Sequence, residues 1–140
     1  MLANTLIMKK VTSVSFLFIA LSVIFFSCKK DKTEGHSGSI QKKWYYHKII
    51  TTNKTTGVTN SEDIYGSLWY VEFKADGTLY DSDAGNRSYT LTNNDKKLTL
   101  VSNGGATTIY DVTKLTATEL QLSGEVDNSS QKLELKTTPQ

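Results

Sequence analysis

Trp69, Val71 and Phe73 alternate with Tyr70, Glu72 and Lys74. Only an extended strand with one buried face puts three large apolar side chains on one side in a period of two. Ala75-Asp76-Gly77 then predicts a tight turn, because Gly77 can take the positive φ a short hairpin demands, and Thr78 to Asp81 returns as a second strand. The same alternation recurs to the end of the chain. Arg87 to Thr92 carries Tyr89 and Leu91 inward, Lys97 to Val101 carries Leu98 and Leu100, and Thr107 to Val112 follows. Glu119 to Val126 offers Leu120, Leu122 and Val126, and Lys132 to Thr137 offers Leu133 and Leu135. Asn93-Asn94-Asp95, Asn103-Gly104-Gly105 and Asp127-Asn128-Ser129-Ser130 between them are turn chemistry. With Lys43 to Thr52 at the front, the expectation is eight strands and no helix after the N-terminal region.

Eight short antiparallel strands, joined in order and apolar on one face, fit either an up-and-down barrel or a two-sheet sandwich. Closure removes exposed edges, and the sequence carries few edge guards, its single proline being Pro139 beyond the last strand. The expected fold is therefore an all-β, eight-stranded antiparallel up-and-down barrel over residues 41–138. Asn53 to Ile64 reads as a longer polar connection, either a lid over one mouth or a surface loop.

The N-terminal part follows a different grammar. In MKKVTSVSFLFIALSVIFFSC, from Met8 to Cys28, Lys9 and Lys10 precede an apolar run from Val14 to Phe26 that ends at Ser27-Cys28. A run of about 13 apolar residues falls short of the ~20 needed to span hydrocarbon and suits a secretory signal. The junction Phe25-Phe26-Ser27-Cys28 resembles a bacterial lipobox, whose cysteine is lipidated through sulfur and becomes the first residue after cleavage. That resemblance implies a signal helix and peptide over 1–27, a lipid (palmitate-type) anchor at Cys28 holding the protein to a membrane, and a flexible tether over 28–40. The absence of Asp directly after Cys28 looks like outer-membrane delivery. Twelve flexible residues place a domain roughly 20 Å from the lipid.

Composition narrows the function. Loss of Lys9 and Lys10 with the signal leaves 14 basic against 14 acidic side chains in the 113 residues from Cys28 onward. A neutral chain has no electrostatic footprint for nucleic acid. Cys28 is the only cysteine, so no intramolecular disulfide forms and the core alone must stabilise the domain.

Order and spacing add a family resemblance. Trp44 in the first strand, Phe73-Lys74-Ala75-Asp76-Gly77-Thr78, Tyr89-x-Leu91, Leu98-x-Leu100 and Leu115-Thr116-x-x-x-Leu120-x-Leu122 occur in sequence. The region from Gln41 to Leu135 resembles the lipocalin-like lipoproteins of Bacteroidetes, small secreted β-barrels. The resemblance implies the barrel, in a family whose ligands are mostly unknown.

No catalytic constellation can be assembled, and no cofactor or metal is expected. Asp81-Ser82-Asp83-Ala84-Gly85-Asn86 begins like a calcium loop, but Thr92 stands where a bidentate Glu would be, so a solvated hairpin loop is the reading. His36 and His47 lack partners for zinc. Two function classes remain. One is a membrane-anchored barrel binding a small apolar ligand, with Trp44, Trp69, Val71, Phe73, Tyr89 and Leu91 as ligand-lining candidates and Ile49 and Ile50 at the rim. The other is a solid barrel acting as a structural or protein-interaction component of the envelope. The alternation forces no Lys, Arg or carboxylate inward, which favours an apolar occupant.

Overall fold

The computed structural model describes residues 38–140. The expected signal peptide, Cys28 and the expected tether up to residue 37 lie outside the described residues.

Nine strands form one antiparallel sheet: β1 (Lys43–Asn53), β2 (Thr59–Asp63), β3 (Tyr70–Phe73), β4 (Thr78–Asp81), β5 (Gly85–Thr92), β6 (Lys97–Ser102), β7 (Thr107–Leu115), β8 (Glu119–Val126) and β9 (Ser129–Lys136). From β3 to β9 each strand pairs with its successor, and β9 returns to β1 over Tyr45–Lys136 to Asn53–Ser129. The first half of β1 pairs with β3 through Trp44–Val71, which closes an eight-stranded barrel of β1 and β3 to β9. Closure leaves the barrel strands without open edges.

The segment expected to be a loose polar connection is ordered instead. After the Asn53 side chain accepts the amides of Thr55 and Thr56, the chain turns at Gly57, and β2 pairs with the outer half of β1 from Lys48–Asp63 to Thr52–Thr59. β2 therefore continues the line of β3 past the barrel mouth as a ninth strand, exposed along its whole length. Among the described residues it pairs only with β1, and Glu62 and Asp63 place charge on that free edge. Alternation alone did not reveal it, because Thr59-Asn60-Ser61-Glu62-Asp63 has no apolar face.

The turns follow their chemistry. Gly77 sits at φ 82°, and Asp76 accepts both the amide and the hydroxyl of Thr78. Asn93, Asn94 and Asp95 all adopt left-handed backbone, which short polar side chains tolerate best after glycine.

Ile40, placed by the sequence reading at the end of the tether, is buried against the barrel. The Trp44 indole N–H donates to its carbonyl at 2.8 Å, and the Gly38 amide donates to the Leu115 carbonyl at 3.3 Å. Packing thus begins ahead of the first strand. The core comprises Ile40, Trp44, Val71, Phe73, Leu79, Tyr89, Leu98, Leu100, Tyr110, Val112, Leu115, Leu120, Leu122, Leu133 and Leu135. Phe73 and Tyr89 meet edge to face with centroids 5.0 Å apart.

Candidate functional site

Along each strand the inward side chains change character. On β1, Trp44 is fully buried, whereas Tyr46 and Ile49 further along face open space. The irregular register between Tyr46 and Lys48 makes this possible: His47 is the extra residue, so Tyr46 opposite Leu135 and Ile49 opposite Leu133 both point inward. On β4, Leu79 is core and Asp81 is not; on β5, Tyr89 is core and Arg87 is not. On β8 the inward row Leu120, Leu122, Gly124, Val126 loses its side chain at Gly124. One end of the barrel is packed solid and the other is a cup.

The cup has a volume of about 250 Å³ and is lined by Tyr46, Ile49, Trp69, Asp81, Asp83, Ala84, Arg87, Thr108, Tyr110, Val126, Gln131 and Leu133. That is just under the ~300 Å³ where drug-sized pockets begin. Ile49, Val126, Leu133 and the Trp69 ring give it apolar wall. The remainder is polar, so the expectation of an interior without inward charge does not hold. Leu79 and Tyr89 face inward, and a period of two carries Asp81 and Arg87 to the same side.

Asp81 is buried and accepts three hydrogen bonds. Its Oδ2 accepts the Tyr46 hydroxyl at 3.0 Å, and its Oδ1 accepts the amides of Asp83 at 2.9 Å and Ala84 at 3.2 Å. What begins like a calcium loop is a turn closed by its own first carboxylate. Burial, then the Asp81 charge and hydrogen bond, hold the Tyr46 phenol well above its ordinary pKa. Tyr110 donates to Gln131 Oε1 at 2.7 Å, and burial raises its phenol too, against a smaller lowering by the Arg87 charge. Both phenols are neutral at physiological pH.

Gly124 makes room for this arrangement. A Cβ there would lie 2.6 Å from the Tyr110 ring and 2.6 Å from the Ile109 carbonyl oxygen, so the ring covers the glycine on the facing strand.

Arg87 is the exception. Its Nε is buried with no hydrogen-bond partner, and among the described residues its guanidinium makes neither hydrogen bond nor ion pair. Leaving a buried donor unmet costs about 1–3 kcal/mol, more when the group is charged. The cup therefore contains an unspent cationic donor.

Of the expected ligand-lining residues, only Trp69 borders the cup, 42% exposed at its mouth and tied to β1 where its carbonyl accepts the Tyr46 amide at 3.0 Å. Trp44, Val71, Phe73 and Tyr89 belong to the packed core, and Leu91 is partly buried against it. They are the bulky half of each inward row and pack the closed end of the barrel, away from this cup. Ile49 borders the cup and Ile50 does not, because neighbours on a strand face opposite ways. The remaining aromatics among the described residues lie outside: Tyr45, Tyr70 and Tyr80 form a tilted row with centroids 6.1 and 5.9 Å apart, Lys43 sits 4.1 Å over Tyr70, and Tyr65 is exposed.

No protein-family model matches the chain, and neither a curated protein nor a solved structure is similar enough to be matched to it.

Proposed function

We propose that the protein is a lipid-anchored envelope lipoprotein of the lipocalin-like kind, whose barrel holds one small amphipathic molecule in the cup. The observation that carries the binding reading is the half-filled barrel: a core packed at one end and a mixed polar and apolar cavity of about 250 Å³ at the other. A solid barrel built only for stability would continue its leucine rows to the mouth. Here Asp81, Arg87, Thr108 and Gln131 replace them. The anchor rests on the sequence from Met8 to Cys28.

The test of binding uses Trp69. Titrating the full chain, held in lipid nanodiscs, with small amphipathic molecules should change its fluorescence saturably at micromolar concentration, roughly −8 kcal/mol. Substituting Trp69→Phe should remove the signal. A panel that moves neither fluorescence nor melting temperature would sink the binding reading. The anchor is tested by fatty-acid labelling in cells, with label on the wild type and none on Cys28→Ser as the expected result.

A second reading, an interaction component of the envelope, is favoured by the 64–69 connection, where Tyr65 is 71% and Leu68 80% exposed beside the mouth.

A further inference from the structure

We infer that the molecule held in the cup carries an anionic head group, a carboxylate, that docks on the guanidinium of Arg87; the inference rests on the reading of the cup as a ligand site. Three observations on the lining lead to it. Arg87 Nε is shut away from solvent with no acceptor. Asp81, on the same lining, forms no ion pair with it among the described residues and instead accepts from Tyr46 and from the amides of Asp83 and Ala84. The two phenols of the cup already donate their hydrogen bonds to Asp81 and Gln131, so the guanidinium is its strongest donor still unspent.

The geometry of the group selects the partner. A guanidinium presents two parallel N–H bonds at its terminal Nη end, which match the two oxygens of a carboxylate and are poorly matched by a single hydroxyl. Arg87 is also the only arginine in the chain, beside fifteen lysines. A fork stands where the cup needs one and point charges serve elsewhere. Asp83, also on the lining, is exposed and makes no ion pair with Arg87 among the described residues. The apolar tail then lies against Ile49, Val126 and Leu133.

The experiment holds the tail constant and changes the head. Hexanoate, 1-hexanol and hexylamine are titrated into the full chain in lipid nanodiscs, with empty nanodiscs as blank, and binding is followed by calorimetry and by the Nε–H resonance of Arg87. That resonance needs no assignment, because the chain has one arginine. The expected result is hexanoate at least tenfold tighter than either analogue, with a shift of the Arg87 signal at saturation. Arg87→Met should abolish the advantage, so that hexanoate binds that variant no more tightly than 1-hexanol does, and Arg87→Lys should keep only part of it. Equal binding of hexanoate and 1-hexanol, tightest binding of hexylamine, or an advantage surviving in Arg87→Met would overturn the head-group assignment while the cup remained a binding site. If none of the three binds the wild type, the cup reading falls with it. Should Arg87→Met not fold, the three wild-type titrations and the Arg87 resonance decide the question alone.

Discussion

Tyr46 donates its hydroxyl proton to Asp81 Oδ2 at 3.0 Å, joining β1 to β4 across the width of β3, which separates them in the sheet. β3 stops at Tyr70, so beyond it no strand bridges this side of the barrel, and the side-chain bond spans the cup where the backbone ladder ends. Tyr46→Phe leaves a buried carboxylate oxygen without its donor. The expected loss is about 1.5–3 kcal/mol of unfolding free energy, the range for hydrogen bonds to charged groups. A chemical-denaturation midpoint unchanged from wild type would show that water replaces the phenol without loss.

The same pair sets an alkaline limit. In the unfolded chain a tyrosine ionises near its ordinary value of about 10, whereas in the barrel Tyr46 resists ionisation, chiefly through burial and then through Asp81. Above about pH 10 the unfolded state therefore binds fewer protons than the native one, and stability falls as pH rises. The contribution is complete below that value and is lost as pH climbs towards the raised native one. Denaturation midpoints of wild type and Tyr46→Phe should converge with rising pH, a residual slope remaining from Tyr110, whose phenol is raised by burial as well. Alkaline limbs that run parallel would contradict this.

The two tryptophans should separate cleanly. Trp44 has no solvent-exposed surface and its N–H is held by the Ile40 carbonyl, while Trp69 stands at the mouth, 42% exposed. A neutral quencher should reach Trp69 and spare Trp44, giving a two-class quenching plot that becomes single-class in Trp69→Phe. Trp44→Ala should cost about 3–5 kcal/mol, because it opens a cavity at the packed end and strands the Ile40 carbonyl. Equal quenching of both residues would be incompatible with the burial of Trp44.

Most of the barrel was legible because its inward rows are written in a period of two: Leu98-Thr99-Leu100 and Leu133-Glu134-Leu135 can be read only one way. β2 was not, since five polar residues paired to one side of β1 present no apolar face to detect. The cup was legible in part and was misread. Attention to large apolar residues selected Trp44, Phe73 and Tyr89, the residues that fill the barrel, whereas a cavity is built where those rows break into small or polar residues. Extending Tyr89 back by two reaches Arg87, and extending Leu79 forward by two reaches Asp81, so both inward charges were present in the alternation. The bulge at His47, which turns Ile49 and not Lys48 inward, depends on the pairing with β9 and leaves no mark in the local sequence.

Gly124 is the position where the smallest change should reshape the cup. It lies on the inward row of β8 directly opposite Tyr110, and its missing side chain is what lets the Tyr110 ring lie flat across the strand and reach Gln131. An added methyl would sit 2.6 Å from that ring and from the Ile109 carbonyl oxygen. The ring can swing away, but the backbone oxygen cannot without disturbing the β7–β8 pairing. Gly124→Ala is therefore expected to destabilise the barrel by about 1–3 kcal/mol, the usual result of overpacking, although alanine in place of glycine ordinarily favours a strand. The displaced ring moves into the cup, so whatever volume remains beside Arg87 shrinks, and hexanoate binding should weaken at least tenfold. Chemical denaturation and the hexanoate titration, made on the same variant, check both halves; a Gly124→Ala protein as stable as wild type, binding hexanoate with wild-type affinity, would mean that Tyr110 is not held where its contact with Gly124 puts it.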